Sequence, residues 1–506
     1  MDKNNKEIRT RFAPSPTGEL HIGGLKTALF DYLLAKKNNG NFILRVEDTD
    51  RKRLVEGAVE RMIADLSWGG VKVDEGMQID KKGTLTEVGE YGPYTQSERL
   101  DIYKKYIDQL IDTGKAYHCF CSPERLAEVR KTQQQNKQAP KYDRHCLNLS
   151  PEEVQKKIEA GESYVIRFKI PEGITTFRDE VFGKVSIKNE TLDDQVIMKS
   201  DGFPTYHLAV VVDDYLMKIS HVIRGAEWLP STPKHVLLYE ALGWKDEMPK
   251  FVHMANILNK DKKKLSKREG SVSVADFRED GYPAEALINF IALLGWNPKT
   301  EQEIFTMEEL IKQFDIAKMN RAGGVFDLDR LGWISNQHIK KMSIDDLYNQ
   351  GIEFLEKQDF YQSFLDRKEL SKEDLTNYVK KILKVEQERL SKFTEIGVEN
   401  KFFFKAGEEL DFSLENINWK ENNVEDTKKA LIEIKEVFQN IPEEKWTEEY
   451  IQEQLLELAG EKRGDYLFPL RWVLSGQQKS PSPFEIAWVL GKEESIKRIR
   501  SVINKF

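Results

Sequence analysis

Hydrophobic and polar positions follow two different rhythms along this chain. Residues 8 to 14 have the pattern of a short strand, GLKTALFDYLLAKK (24 to 37) sets Leu25, Leu29, Tyr32 and Leu33 on one helical face, and NFILRVE (41 to 47) reads as a second buried strand. The three predict a compact βαβ unit and therefore parallel strands. A second run of this kind comes much later: VVVDDYL (210 to 216) and HVIRGAEWL (221 to 229) read as buried strands, TPKHVLLYEALGW (232 to 244) as an amphipathic helix. Residues 115 to 205 are poorly periodic and strand-rich in places, which predicts an insertion splitting one α/β domain. Beyond about residue 335 charged amphipathic helices take over. Leu431, Ile434, Phe438 and Ile441 share a face, and Ser482, Pro483 and Glu485 make a capped helix start. The expected fold class is α/β, a Rossmann-like parallel-sheet domain split by an α+β insertion and followed by an all-helical C-terminal region.

Composition narrows this picture. A chain of 506 residues is too long for one core and should divide into three or more domains. Its hydrophobic content of 40% suits a globular protein; apolar runs such as INFIALLGW (288 to 296) are too short to cross a bilayer, and MDKNNKEIRT has no signal-peptide core. A cytoplasmic protein with no membrane contact is expected. The net charge of -8 gives no bulk sign of nucleic-acid binding, yet cations bunch at RKR (51 to 53), KDKKKLSKR (260 to 268) and KRIR (497 to 500). KRIR reads as a solvated face, KKKLSKR as something more. All three cysteines fall between Cys119 and Cys146, an odd number that excludes a disulfide framework and points to a reducing compartment and one local site.

Two phosphate cradles, the Walker A loop and GxGxxG, do not occur. RFAPSPTGELHIGG (11 to 24) suggests another. Its prolines favour an extended exit from the strand, Gly18 permits a tight turn, and Gly23 and Gly24 leave room at a helix start, a natural anion site, with His21 placed to donate to a phosphate oxygen. A lysine-rich loop, KLSKR (264 to 268), lies in the expected second half of the same domain.

RFAPSPTGELHIGG, FILRVEDTD (42 to 50), GPYTQSERL (92 to 100), DGFPTYHLAVVVDD (201 to 214), HVIRGAEWLPSTPKH (221 to 235) and KLSKR occur in that order. Together they resemble the class I aminoacyl-tRNA synthetases and, within them, the glutamyl-tRNA synthetases, with HIGG standing for HIGH and KLSKR for KMSKS. The resemblance implies a glutamate–tRNA ligase: activation of L-glutamate by ATP with Mg2+, then transfer to the 2′-hydroxyl of the terminal adenosine of tRNA(Glu) by a monomer. It divides the chain into a catalytic domain at 1–114 and 206–255, an acceptor-binding insertion at 115–205, a loop and stem-contact domain at 256–335 and helical anticodon-binding domains at 336–506. His21, Lys264 and Lys267 are implied as catalytic residues. Arg11, Ala13, Ser15, Glu47, Tyr206 and Arg224 would bind glutamate. ATP would be held by Ser15, His21, Gly23, Gly24, Glu227, Lys264, Ser266 and Lys267. The glutaminyl enzymes lack an arginine matching Arg224 and have an opening like PPEPNG where APSPTG stands here, so glutamate is the expected substrate. KYDRHC resembles a zinc-binding insertion whose ligands match Cys119, Cys121, Tyr142 and Cys146. Ligand chemistry alone favours His145 or His118 over a phenolate, and three free cysteines without metal are the plain alternative. Arg389 matches an arginine that helps read the third anticodon base; a surface arginine on a charged helix is the alternative.

Overall fold

The computed structural model describes residues 7–265, 272–367, 370–410, 417–420 and 423–506. Two compact units emerge: the first holds the chain up to Arg278 with Ala284–Leu331, the second Glu279–Pro283 with Gly332–Phe506.

In the first unit β1 (Arg9–Phe12) leads into α1 (Ile22–Lys37) and back to β2 (Asn41–Leu44), which pairs with β1 in parallel. β3 (Glu75–Ile79) extends the sheet in parallel and β4 (Leu85–Val88) closes it antiparallel. The expected one-faced helix is wider than its pattern: α1 is buried on nearly every side, Lys26 and Asp31 included.

The insertion supplies β5 (Ala116–Cys119), β6 (Val165–Phe168), β7 (Ile174–Asp179), β8 (Gly183–Lys188) and β9 (Val196–Met198). β5, β6 and β9 form an antiparallel sheet of their own. The β7–β8 hairpin instead joins β10 (His221–Gly225) and β11 (Lys250–Met254), in the order β10-β11-β7-β8. β10 lies beside β1, where the Ser220 N–H donates to the Arg9 carbonyl at 2.9 Å. The chain leaves β1 through α1 toward β2 and leaves β10 through the helix Thr232–Ala241 toward β11. A topological switch point therefore lies between β1 and β10, where open α/β sheets form their binding crevices.

VVVDDYL corrects the strand expectation. It belongs to the helix Tyr206–Leu216, in which Val210, Val211 and Val212 are buried. A short apolar run cannot distinguish a buried strand from a helix buried all round. HVIRGAEWL likewise stays extended only to Gly225 and then turns through a 3-10 helix, Ala226–Ser231.

Two aspartates explain how this helix holds the unit together. Asp213 accepts from Arg99 Nε at 2.7 Å and from Gln96 and Tyr103 at 2.9 Å. Asp214 sits about 100° further round the helix. It meets Arg11 Nε at 3.0 Å and Arg45 Nη1 at 2.9 Å, and Arg45 reaches Glu47 at 3.1 Å. All of these charges are buried.

The second unit is helical among its described residues, around one hydrophobic core running from Ile339 to Val502. Leu431, Ile434 and Phe438 face that core from the helix Val424–Asn440, and Ile441 follows at its end. Ser482 Oγ accepts from Glu485 N at 3.1 Å while Glu485 accepts from Ser482 N at 2.6 Å, the expected capping box. KRIR departs from its expectation: Lys497 and Arg500 are exposed, but Arg498 is 1% exposed and donates to the carbonyls of Leu474, Phe402 and Lys405. The unsatisfied carbonyls at a helix end and a nearby turn needed a fan of donors, which guanidinium supplies.

Asp213→Ala leaves Arg99 buried without a counter-ion, so the first unit should lose about 3–5 kcal/mol in urea unfolding. A loss below about 1 kcal/mol would contradict the role given to this helix.

Candidate active site

A cleft of about 1020 Å³ opens at the carboxyl ends of β1, β2, β10 and β11. The described residues named above for glutamate, Arg11, Ala13, Ser15, Glu47, Tyr206 and Arg224, all line it. So do His21, Gly23, Gly24, Glu227 and Lys264, named for ATP and catalysis. Ser266 and Lys267 lie outside the described residues. The chain is tied to the cleft on both sides of them, however. Before them, Leu265 N–H donates to the Ile257 carbonyl at 2.9 Å; after them, Ile22 N–H donates to Val272 at 3.0 Å and Val274 N–H to Leu20 at 2.8 Å.

The opening motif builds its corner from backbone chemistry. Pro14 and Pro16 lack N–H groups but lend their carbonyls to Glu47 N at 2.9 Å and Val55 N at 3.0 Å, and Gly18 turns at φ +144°. His21 caps α1: its Nδ1 accepts from Gly23 N at 3.0 Å, so the neutral ring carries its proton on Nε2. At Gly24 a Cβ would come within 2.9 Å of Leu20 and 3.5 Å of Phe12, so this glycine serves packing of the helix start, whereas at Gly23 it would meet only His21, at 3.4 Å.

The charges in the cleft differ in kind. Lys264 Nζ pairs with Glu227 Oε1 at 2.9 Å, an exposed pair at the rim. Arg11 is held by Asp214. Arg224 is buried, and none of the ion pairs among the described residues includes it. Burial pushes Glu47 up to about 7 against the pull of Arg45 and Arg11. An uncompensated cation deep in the cleft and a carboxylate poised to ionise suit a ligand carrying both signs of charge.

Residues 7–333 match the model for tRNA synthetases class I (E and Q), catalytic domain, and residues 353–503 match an anticodon binding domain. The chain belongs to the class I tRNA synthetases.

It is 48% identical to a glutamate–tRNA ligase of Clostridioides difficile, the match covering 98% of this chain and 99% of that one. A glutamate–tRNA ligase of Alkaliphilus metalliredigens is 47% identical, again with 98% and 99% covered. Among solved structures, a glutamate tRNA ligase from Elizabethkingia meningosepticum in complex with its amino acid superposes with a TM-score of 0.85 at 38% identity, covering 99% of each chain. The glutamate–tRNA synthetase of Elizabethkingia anophelis gives 0.81 at 38% identity, covering 99% of this chain and 100% of that one.

Two other groups of residues named above are not among those that line the cleft. Cys119, Cys121 and Cys146 gather with their Sγ atoms within 4.8 Å of one another. Tyr142 Oη lies 3.3 Å from Cys119 and 3.4 Å from Cys121, and Cys121 and Cys146 are 3.5 Å apart. Neither histidine favoured by ligand chemistry joins them. His118 alternates with Cys119 along β5 and packs on Phe120 and Tyr164, and His145 is exposed. Arg125 supports the cluster through Cys121 at 3.4 Å, and the Arg167 guanidinium stacks over the Tyr142 ring at 3.9 Å. In the helical unit, Arg389 is exposed and lines a cavity of about 680 Å³ together with Arg471, Gln477 and Lys479. Glu386 borders it, pushed up to about 7 by burial.

Several cleft residues carried no sequence signal. Lys26 is buried in α1 and donates to the Ala255 carbonyl at 2.8 Å, with burial pushing it down to about 8. It sits in the helical repeat like any apolar neighbour. The Trp228 ring lies 4.6 Å from that of Tyr206, tilted by 37°. RKR was visible as a cluster, and all three of its residues line the cleft.

Proposed function

We propose that the chain is a glutamate–tRNA ligase. In its first step the α-carboxylate of glutamate attacks the α-phosphorus of ATP and expels pyrophosphate. In the second, the adenylate acylates the 2′-hydroxyl of the terminal adenosine of tRNA(Glu), releasing AMP. The observation that carries this reading is one cleft holding His21 at a helix start, the anchored flanks of the KLSKR loop and a buried Arg224 without a counter-ion.

In the amino-acid pocket Arg224 and Arg11 take the substrate's carboxylates, Glu47 its ammonium, and Ser15 and Tyr206 supply further polar contacts. His21, donating from Nε2, and the start of α1 hold phosphate oxygens. Lys264 and Lys267 neutralise charge that grows on the pentavalent phosphorus and the leaving pyrophosphate, with Ser266 and Glu227 beside the nucleotide. Such catalysis is positioning and electrostatics, with no covalent help from the protein. The carboxylates Asp50, Asp201 and Glu227 are each paired to a cation, with Arg53 at 2.7 Å, Lys199 at 3.1 Å and Lys264 at 2.9 Å. Mg2+, which this class of reaction requires, would be carried by the phosphates of ATP and would supply neutralisation of their charge.

The donor set Cys119, Cys121, Tyr142 and Cys146 fits zinc: three soft sulfurs within 4.8 Å of one another, and a phenol oxygen 3.3 and 3.4 Å from two of them. The ion would be structural, joining β5 to the loop that carries Cys146, and would take no part in the reaction. In the helical unit Arg389 and Arg471 are read as contacts to the anticodon. The three free cysteines accord with a cytoplasmic protein.

Glutamate-dependent exchange of pyrophosphate into ATP, with purified tRNA(Glu) present, should be robust, and His21→Ala or Lys267→Ala should lower it about 100-fold or more with little change in the KM for glutamate. Activity with glutamine and none with glutamate overturns the substrate. Because Glu47 is raised to about 7, its carboxyl protonates below that pH and loses the negative charge that pairs with the ammonium. The KM for glutamate should then rise about fivefold from pH 7 to pH 6 and be flat in Glu47→Gln. Protein purified without chelator should carry about one zinc per chain, lost in Cys146→Ser; near-zero zinc in the parent protein refutes the site.

A further inference from the structure

Arg224 is buried among acceptors that carry no charge. Its Nε donates to His253 Nε2 at 3.1 Å, Nη1 to Tyr206 Oη at 3.2 Å and to His235 Nδ1 at 3.3 Å, and Nη2 to Thr232 Oγ1 at 2.8 Å. A guanidinium only donates, so each of these ring nitrogens must present a lone pair. The proton positions follow from that requirement. His253 carries its proton on Nδ1 and gives it to Asp179 Oδ2 at 2.7 Å; His235 carries its proton on Nε2 and gives it to His207 Nδ1 at 2.9 Å. Both rings are therefore neutral, and burial favours the same state by depressing the basicity of His235, His207 and His253.

Asp179 is itself fully occupied. Val181 N and Phe182 N donate to its Oδ1 at 3.0 and 2.8 Å, and His253 N donates to Oδ2 at 3.1 Å. Its charge is spent on these donors and on one imidazole, with His253 standing between it and Arg224. Five elements contribute: β7 of the insertion hairpin, the helix Tyr206–Leu216, β10, the helix Thr232–Ala241 and β11.

We infer that His235 and His253 are specificity-setting positioning residues: they hold Arg224 as hydrogen-bond acceptors without neutralising it, so that the cleft keeps one buried, unpaired positive charge for a side-chain carboxylate. The inference rests on the reading of the cleft as a glutamate site. A carboxylate entering beside Arg224 relieves a charge buried without a counter-ion, whereas the amide of glutamine leaves it unrelieved. An anionic residue in the cage would do the carboxylate's work in advance and remove the preference.

His235→Gln and His235→Glu separate geometry from charge. Gln retains a neutral acceptor for Arg224 and an N–H for His207; its KM for glutamate should stay within about threefold and its preference for glutamate over glutamine intact. Glu brings the counter-ion. Its KM for glutamate should rise about 100-fold with kcat changed less than about tenfold, and the ratio of kcat/KM for glutamate to that for glutamine should fall at least about 100-fold. An unchanged glutamate KM in His235→Glu, or equal loss in the two variants, overturns the inference. Should His235→Glu lack a cooperative melting transition, 15N spectra of histidine-labelled parent protein decide. His235 and His253 should each be neutral at about pH 7 in the single tautomers given above, with peaks assigned from His235→Gln and His253→Gln, and an imidazolium at either position overturns it. Parent protein that activates glutamine but not glutamate would remove the proposed function itself; parent protein selective for glutamate with an indifferent His235→Glu removes the cage alone.

Discussion

The first unit is organised by a lattice of buried charges centred on two consecutive aspartates. Asp213 and Asp214 point to different sides of one helix, and through Arg99, Arg45 and Arg11 they connect that helix to β1, to the segment after β2 and to the start of the helix Leu100–Asp112. Charges taken out of water are tolerated only when geometry pairs them closely. A lattice of this kind therefore permits few arrangements of the elements it joins. It places Arg11 and Glu47 in the cleft with their directions already determined.

Arg11 and Arg224 show how one fold uses the same side chain twice. Arg11 has Asp214 as a permanent counter-ion and is largely a structural cation that also faces the cleft. Arg224 has only neutral acceptors and stays electrostatically incomplete. The difference is set by the residues that surround each guanidinium, since the guanidinium itself is charged at every relevant pH. Glu47, whose carboxyl is raised by burial, completes the contrast by offering the opposite charge in the same cleft.

The insertion does more than carry the cysteine cluster. Its β7–β8 hairpin continues the sheet of β11 and delivers Asp179 to His253, which holds Arg224. The segment that interrupts the α/β domain in sequence is thus part of that domain's sheet in space. The period-2 pattern of a hairpin says nothing about which sheet it will join, because partner choice is made by the edges available after folding.

The local features were written in contiguous stretches. The proline-glycine corner and His21, the capping box at Ser482 and the core face of 426–441 all depend on neighbours within a few turns of chain, where sequence spacing and spatial spacing coincide. The helix at 206–216 escaped because burial on all sides erases periodicity, and Arg498 escaped because a basic tetrapeptide does not disclose which of its members will find buried carbonyls. The neutral cage of Arg224 was beyond any reading of the chain: its residues come from five separate elements, and the protonation of each ring follows from a hydrogen bond to a partner far away in sequence. The sequence by itself determined the backbone chemistry of the cleft and the residue types available to it. Tertiary structure alone decided which charges would be compensated, since compensation depends on distance and desolvation, and neither exists until the elements have packed.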